Sequence, residues 1–271
     1  MELFYRKYGE AGPPLVIVHG LYGSGDNWVS IARDLSSHFE VYVVDQRNHG
    51  QSPHDDLMDY PSMRDDLCEF LDAQDIEKAV LIGHSMGGKT IMQFALGCPE
   101  RVQSLISVDI APKPYHDLAV DSHAAANHAK MIDAMLELDL SRVESREEVD
   151  LALRPKIGSA RVRSFLLKNI RRDKDGNFGW RMNLSALREN LDKIMDGLPE
   201  VERVISEGGI TGFTALFISG ERSDYIRAED HQLIRSVFPV ADIVTIPGAG
   251  HWVHSEQPVL LVKNIRYFLD V

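Results

Sequence analysis

Six short runs of apolar, largely β-branched residues recur along the chain, and stretches with helical periodicity separate them. The runs cover residues 15–18, 41–44, 79–82, 102–108, 215–219 and 243–246. Between the second and third runs, Met63, Leu67 and Phe70 fall on one face of a predicted helix. Near-continuous apolar strands alternating with helices are typical of a mostly parallel sheet that is covered on both faces. The sequence therefore predicts an α/β protein whose functional residues lie at the carboxyl ends of the strands.

The long stretch between the fourth and fifth runs lacks that rhythm and has a mostly helical pattern. Its predicted helices cover residues 121–138, a segment that follows the capping pair Ser145 and Glu148, and residues 159–170 and 184–195. A turn-rich segment at residues 173–177 interrupts them. We predict that residues 1–111 and 211–271 form one core and that residues 112–210 form an inserted helical lid. A lid above the strand ends would shape a substrate pocket.

Residues Gly83-His84-Ser85-Met86-Gly87 directly follow the third apolar run. They match the G-x-S-x-G pattern, in which a sharp turn from strand to helix holds a serine beside a base. Glycine suits the flanking positions because a serine at this turn takes a positive φ and larger neighbours would crowd the strand and helix. The pentapeptide alone is weak evidence, and an ordinary glycine-rich turn is the alternative. The strand before it and the apolar helical pattern after it make Ser85 the predicted nucleophile.

A histidine follows the last predicted strand, in the segment Gly248-Ala249-Gly250-His251-Trp252. The glycines would let this loop reach back to Ser85. We therefore predict that His251 is the general base that takes the proton of Ser85 and later gives it to the leaving group. His254 is a nearby competitor, and His84 is expected to pack beside the nucleophile.

The acid of the triad has three candidates. It usually lies after the strand that precedes the last one, where Ser223 occupies the expected position and Asp224 comes one place late. One strand earlier, Asp109 ends the run beside the strand of Ser85. We favour Asp109, because a buried carboxylate needs a partner and a histidine that becomes cationic provides one. Ser223, as an additional partner of His251, and Asp224 stay open.

The remaining site predictions concern the oxyanion and the acyl group. Backbone N–H donors for the oxyanion are expected at Met86, directly after the nucleophile, and at Leu21, in the loop after the first strand. The predicted acyl pocket combines a residue of that loop with apolar residues of the inserted segment: Tyr22, Phe165, Leu166, Trp180 and Met182. The alternative is that the inserted residues only pack the segment onto the core.

Composition narrows the function classes. A net charge of -12 argues against a nucleic-acid surface and against a polybasic membrane anchor. No apolar run approaches the ~18–20 residues of a membrane span. The two cysteines, Cys68 and Cys98, are interpreted as reduced thiols, and with no signal peptide visible a cytoplasmic location is expected. The histidines and cysteines lack a zinc-ligand spacing, so we expect neither a metal nor a cofactor. The oligomeric state is left open.

Four motifs together resemble the α/β-hydrolase family: His19-Gly20, residues 45–52, the serine turn, and residues 248–252. Three segments are more narrowly similar to YbfF-type esterases: residues 19–24, residues 108–112, and the serine after Gly220-Glu221-Arg222. The segment Trp180-Arg181-Met182-Asn183 also fits that group. The resemblance implies carboxylesterase activity on short to medium acyl esters. The implied substrate range also extends to acyl-CoA thioesters. It also supports Asp109 over Asp224.

The sequence thus predicts a serine carboxylesterase that acts on a small-molecule acyl ester or thioester through an acyl-enzyme. A C–C bond hydrolase or a related lyase would use the same triad, and a ligand-binding receptor with a vestigial triad is the non-enzyme alternative. Haloalkane dehalogenases and epoxide hydrolases are disfavoured, since they need a carboxylate in place of Ser85. Five basic residues of the predicted lid would either receive a CoA phosphate or form a solvated helix face: Arg161, Arg163, Lys168, Arg171 and Arg172.

Overall fold

A seven-stranded sheet forms the centre of the computed structural model, which describes residues 1–116 and 128–271. The strands of the chain are β1 (Tyr5–Tyr8), β2 (Pro14–Val18), β3 (Glu40–Val44), β4 (Ala79–His84), β5 (Val102–Val108), β6 (Ile170–Arg172), β7 (Phe178–Trp180), β8 (Thr214–Gly220) and β9 (Ala241–Ile246). The central sheet has the order β1-β3-β2-β4-β5-β8-β9. Its strands pair in parallel, except that β1 is antiparallel to β3.

Twelve α-helices are found in the described residues. They are α1 (Val29–Leu35), α2 (Tyr60–Ala73), α3 (Met86–Gly97), α4 (His128–Leu136), α5 (Arg146–Leu153), α6 (Ala160–Leu166), α7 (Leu184–Glu189), α8 (Leu191–Met195), α9 (Val201–Ser206), α10 (Asp230–Val237), α11 (Val253–Glu256) and α12 (Pro258–Leu269). Short 3₁₀ turns lie at Gly25–Trp28, Pro99–Arg101, Leu140–Arg142 and Leu167–Asn169.

The sheet is buried on both faces, as the apolar runs predict. Successive side chains of a strand point to opposite faces. Leu15 and Ile17 of β2 pack in a cluster that includes α1 and α12, whereas Val16 and Val18 pack in a cluster that includes α2 and α3. All four are essentially inaccessible to solvent. Full burial of each such side chain stabilises the fold by roughly 1.5–3 kcal/mol. The predicted α/β fold class is confirmed.

The edge strand β1 was not predicted, and its sequence explains why. Tyr5-Arg6-Lys7-Tyr8 is polar and half-buried, since only one edge of β1 pairs with the sheet. It therefore lacks the apolar run that marks the central strands.

The inserted segment contains a two-stranded sheet, which corrects the expectation of an all-helical excursion. The predicted helix over residues 159–170 ends at Leu166, and Ile170 opens β6 and pairs with Trp180 of β7. The chain reverses between them because the Asp173 carboxylate accepts backbone N–H groups of the turn. Residues of the predicted helix at 184–195 form two helices, α7 and α8. The predicted helix start at Asp121 lies outside the described residues.

Specific hydrogen bonds fasten the inserted segment to the carboxyl edge of the sheet. The Tyr60 hydroxyl of α2 donates to the Ile194 carbonyl at 2.6 Å. The Asn183 backbone N–H donates to the Asn48 carbonyl at 3.0 Å. The Asn169 amide donates to the Tyr22 carbonyl at 2.7 Å. The segment is thereby held directly above the loops that leave β2 and β3.

Candidate active site

Ser85 lies at a strained turn between β4 and α3. Its backbone has φ 53° and ψ -122°, a conformation that costs a non-glycine residue about 1–3 kcal/mol. A Cβ atom on Gly83 would lie 2.3 Å from the Gly87 carbonyl oxygen, and one on Gly87 would lie 2.3 Å from the Val18 carbonyl oxygen. The glycines of the motif are therefore required by close backbone approach, and the turn exposes the Ser85 hydroxyl at the strand end.

A hydrogen-bonded chain joins three of the predicted site residues. His251 Nε2 lies 3.0 Å from Ser85 Oγ, and His251 Nδ1 lies 2.8 Å from Asp109 Oδ2. A carboxylate only accepts hydrogen bonds, so the proton on this imidazole resides on Nδ1. The lone pair of Nε2 then faces the Ser85 hydroxyl. This tautomer allows His251 to accept a proton from Ser85.

Asp109 is held in place by its backbone and by two further donors. It follows β5 with φ 56° and is completely buried. Its backbone N–H donates to the Ile218 carbonyl of β8 at 2.7 Å. Its Oδ1 accepts the Gly220 N–H at 2.9 Å, and its Oδ2 also accepts the Ser223 hydroxyl. Such saturation compensates for burial of the carboxylate.

The other two acid candidates lie elsewhere. Ser223 donates its hydroxyl to Asp109 rather than to His251, so its predicted contact with the histidine is replaced by one with the carboxylate. Asp224 is half-exposed and forms an ion pair with Arg227 at 3.4 Å. The hydrogen-bonded chain therefore does not include Asp224.

Two contacts of His251, one of its ring and one of its backbone, escaped the sequence analysis. The Tyr225 ring stacks on the His251 ring, with centroids 3.8 Å apart and planes 18° apart. Burial raises the pKa of Tyr225, so its hydroxyl stays neutral. On the other side, His84 Nε2 lies 2.8 Å from the His251 carbonyl oxygen. Burial lowers the pKa of His84 far below its ordinary value, so this ring is a neutral donor that fixes the loop.

His254, the competing histidine, is a core residue. It is buried and stacks on Trp28, with ring centroids 4.8 Å apart. Burial lowers its pKa to about 3. The structure therefore separates it from the chain that contains Ser85.

The Ser85 hydroxyl opens into a largely apolar pocket between the core and the inserted segment. Seven predicted residues line it: Leu21, Tyr22, Ser85, Met86, Phe165, Leu166 and His251. The wall also contains residues to which the sequence analysis assigned no place in the pocket: Tyr60, Lys89, Ile110, Tyr115, His128, Met131, Val162, Ile194, Met195, Tyr225 and Trp252. A helical segment presents no unique apolar face when both of its sides are covered, so the sequence could not select these residues.

Trp180 and Met182 do not line this pocket, contrary to the sequence prediction. Trp180 belongs to β7 and is half-buried against the main hydrophobic cluster, and Met182 is buried in that cluster. The β6–β7 turn directs this part of the chain toward Asn48 and away from Ser85.

The motif at residues 45–52 has a structural role. The Asp45 carboxylate accepts the Gly25 N–H at 2.6 Å and the Gln51 N–H at 2.9 Å. Arg47 makes two hydrogen bonds to the buried Asp66 carboxylate of α2, at 2.6 and 2.8 Å. These bonds hold the loop after β3 in a fixed shape beneath the inserted segment.

Among residues 1–116 and 128–271, no cluster of three or more His, Cys, Asp or Glu side chains has an arrangement that could hold a metal ion. Within the same residues, each helix is too short or too polar to span a bilayer.

Comparisons with known proteins identify the family of this chain. A family model for the alpha/beta hydrolase fold matches residues 13–258. The sn-1-specific diacylglycerol lipase ABHD11 of Xenopus laevis is 40% identical over 274 residues, which cover 100% of this chain and 84% of the relative. Esterase YbfF of Escherichia coli (strain K12) is 38% identical over 259 residues, covering 95% of this chain and 93% of the relative.

A solved structure extends the likeness to three dimensions. A marine microorganism esterase superposes with a TM-score of 0.89 and 46% sequence identity, covering 98% of this chain and 99% of its own. The family match, the coverage of most of each relative and the superposition all indicate membership of the same family. The chain therefore belongs to the alpha/beta hydrolase fold family and is a serine hydrolase.

Proposed function

We propose that this protein is a carboxylesterase that hydrolyses short to medium acyl esters through Ser85, His251 and Asp109. The observation that carries the proposal is the unbroken chain of hydrogen bonds from Ser85 Oγ to Asp109, at the wall of an apolar pocket. The names of two similar proteins, the E. coli esterase and the marine esterase, support an ester as the substrate.

In the proposed reaction, Ser85 Oγ attacks the acyl carbonyl carbon while His251 Nε2 takes the hydroxyl proton. The negative charge that develops on the carbonyl oxygen is stabilised by the backbone N–H groups of Leu21 and Met86. His251 then gives its proton to the oxygen of the leaving alcohol, and the acyl group stays on Ser85. A water molecule that loses a proton to His251 attacks this acyl-enzyme, and His251 returns the proton to Ser85 Oγ as the bond to the acyl group breaks and the acid is released.

Three neighbours position the catalytic histidine in this scheme. The Asp109 carboxylate stabilises the imidazolium that forms during each step. The Tyr225 ring fixes the plane of the imidazole by stacking. The hydrogen bond from His84 to the His251 carbonyl fixes the loop that carries it. We regard Tyr225 and His84 as positioning residues.

We also propose that residues 112–210 act as a lid over the core of residues 1–111 and 211–271. Helix α6 contributes Val162, Phe165 and Leu166 to the pocket wall. Helix α8 contributes Ile194 and its last residue, Met195. The acyl chain would lie against these side chains, so the lid would set the preferred chain length.

A more specific form of the same proposal is that the substrates include acyl-CoA thioesters. A second groove, next to the pocket at Trp252, is bordered by Arg161 and Lys168. The Arg161 guanidinium lies 5.2 Å from the Trp252 ring centroid, and it also pairs with Glu256 at 2.9 Å. Arg163 is buried in an ion pair with Asp150 at 2.8 Å, which removes it from the set of phosphate candidates.

The test compares initial hydrolysis rates of wild type and Ser85→Ala on p-nitrophenyl esters from acetate to palmitate and on matched acyl-CoAs. Wild type should show turnover with a chain-length optimum, and Ser85→Ala should lose about 10⁴-fold or more of kcat. Ser206→Ala, at an exposed serine of α9, is the matched control and should keep full activity.

Three results would contradict the proposal. Full esterase turnover in Ser85→Ala would place the chemistry elsewhere. Labelling of Ser85 by a fluorophosphonate without turnover on any ester or thioester would favour a C–C bond hydrolase or lyase. A lack of both labelling and turnover would instead indicate a binding protein.

A further inference from the structure

Lys89 is a buried cation in the wall of the pocket, and the reaction described above does not use it. It lies one helical turn after Ser85 on α3, where its backbone N–H donates to the Ser85 carbonyl at 3.1 Å. Only 1% of Lys89 is exposed, although lysine is almost never fully buried without a charged partner. Its side chain therefore needs an explanation.

The contacts of the Lys89 ammonium leave part of its binding capacity unused. It donates one hydrogen bond to the Asp196 backbone carbonyl and lies over the rings of Tyr60 and Tyr115, 5.3 and 4.7 Å from their centroids. An ammonium has three N–H donors. The ammonium thus contacts one carbonyl oxygen and two aromatic faces, while its residue lines the pocket.

The neighbouring carboxylates are engaged by other groups. The Asp196 carboxylate faces His116 at 3.6 Å and accepts the Gly197 N–H at 2.7 Å. Asp230 is held by Lys113 at 2.6 Å. Among residues 1–116 and 128–271, no carboxylate lies within ion-pair distance of Lys89. Burying a charge without a counter-ion costs free energy. A ligand with a negative charge would supply the ion pair that the protein itself does not form.

We propose that Lys89 binds a carboxylate at the far end of the acyl chain, so that the preferred substrates are half-esters of short dicarboxylic acids. This inference rests on the proposed esterase function and deepens it. We assign this carboxylate to the acyl side of the substrate because the leaving alcohol must lie beside His251 Nε2, near Trp252. Lys89 instead lies four residues after Ser85 on α3, a rise of about 6 Å along the helix axis. Both residues line the same pocket, so an acyl chain of a few carbon atoms would run between them.

A purely structural role for Lys89 makes a different prediction. Its ammonium binds a carbonyl at the carboxyl end of α8, as basic side chains often do at helix ends. If that were its whole role, substituting Lys89 would affect every ester alike. The ratio between charged and neutral esters of equal length separates the two roles.

The experiment measures kcat/KM for ethyl hydrogen succinate, glutarate and adipate and for neutral ethyl esters of equal chain length. Wild type is expected to prefer the half-esters by about tenfold or more. Lys89→Met keeps the side-chain length without the charge, and it should remove that preference, so that the ratio falls by about tenfold or more. Lys193→Met, at an exposed lysine of α8, removes the same net charge and should leave the ratio unchanged.

A pH profile of wild type tests the same idea without a substitution. Burial lowers the pKa of Lys89 to about 7. The preference should therefore be full near pH 6 and fall as the pH rises through about 7, because the free enzyme loses the cation. The other groups that act on Lys89 are Tyr60 and Tyr115, whose pKa values burial raises, together with Asp196 and Lys113. Both substrates need His251, so its contribution cancels in the ratio.

Each outcome decides between the proposals. A half-ester preference that Lys89→Met removes, with neutral-ester turnover retained, supports the inference. Ser85-dependent turnover with no half-ester preference in wild type overturns it and leaves the esterase proposal standing. A Lys89-dependent preference for a charge on the alcohol side, tested with the acetate ester of 4-hydroxybutanoate, overturns the acyl assignment. Loss of turnover on all esters in wild type would overturn both proposals. If Lys89→Met does not fold, the wild-type preference and its pH profile still decide.

Discussion

The core and the inserted segment hold their parts of the site in different ways. In the core, backbone geometry fixes the reactive groups: Ser85 and Asp109 both have positive φ, and a Cβ atom added to Gly83 or Gly87 beside Ser85 would lie 2.3 Å from a backbone carbonyl oxygen. In the inserted segment, a Cβ atom on Gly158 or Gly179 would meet no atom within 4 Å. The reactive groups thus lie where substitution is least tolerated, whereas these two positions of the inserted segment have room for a larger side chain.

The difference follows from what each region has to do. Proton transfer requires the two atoms to lie within about 3 Å of each other, so the core must be rigid at the strand ends. An acyl pocket needs only a suitable volume and an apolar surface. Side chains such as Val162 and Ile194 provide it from helices that are tied to the core by a few hydrogen bonds. The comparison can be tested at both regions.

The largest expected effect comes from the carboxylate in the core. Asp109→Asn should lower kcat by about 10⁴-fold, because an amide stabilises the wrong imidazole tautomer and no longer balances the imidazolium. Asp224→Asn removes a neighbouring exposed carboxylate and should stay within about twofold of wild type. Steady-state rates on one p-nitrophenyl ester measure both variants. A large loss in Asp224→Asn with little loss in Asp109→Asn would reverse the assignment of the acid.

The second effect is on stability and compares glycines of the two regions. Gly87→Ala should lower the free energy of unfolding by about 3 kcal/mol or more, because the new Cβ would overlap the Val18 carbonyl. Gly158→Ala should change it by about 0.5 kcal/mol or less, since open space surrounds that position. Urea unfolding measures both. Equal costs at the two positions would remove the contrast between a constrained core and a tolerant insertion.

A smaller effect is expected on substrate choice. Phe165→Ala removes an apolar wall of the pocket and should raise KM for medium-chain esters about tenfold while the acetate ester changes little. Leu167→Ala is the matched control, because this half-buried leucine packs against the core and does not line the pocket. Chain-length profiles of kcat and KM are the measurement. A uniform fall in kcat across all chain lengths would mean that the segment supports catalysis rather than selecting substrates.

The smallest effect concerns acyl-CoA. Charge reversal of the exposed β6 residues, Arg171→Glu with Arg172→Glu, should raise KM for acyl-CoA a few-fold and leave neutral esters unchanged. Arg33→Glu with Arg235→Glu makes the same change in net charge at two exposed positions outside the inserted segment, and it is the control. Equal effects of the β6 pair on thioesters and neutral esters would remove the thioester extension. Kinetics at low ionic strength give the clearest reading, because salt screens exposed charges.

Much of the fold could be predicted because the central strands are buried on both faces. Their apolar runs are visible in the sequence without any partner, as in residues 15–18 and 79–82. Strand β1 and the three-residue strands β6 and β7 could not be predicted, because short or polar strands are defined by their pairing and not by their composition.

The candidate site shows the same division. The turn around Ser85 has a local signature, since its glycines are required by its own backbone. Asp109 is different, because its neighbour β8 lies more than a hundred residues away in the chain. Three further residues have no local signature at all: Tyr225 stacking on the histidine, and Trp180 and Met182 packed away from the pocket. Each depends on contacts made by distant segments.

The sequence by itself determined the sheet, the serine turn and the loop that carries His251, because local backbone and burial requirements specify them. The tertiary structure alone decided that Asp109 rather than Asp224 lies beside His251, since strand order places β5 next to β8. It also decided which inserted side chains line the pocket and left Lys89 buried there without a carboxylate partner among the described residues. Those outcomes depend on long-range packing, in which a residue's surroundings come from chain segments that its own sequence neighbourhood does not reveal.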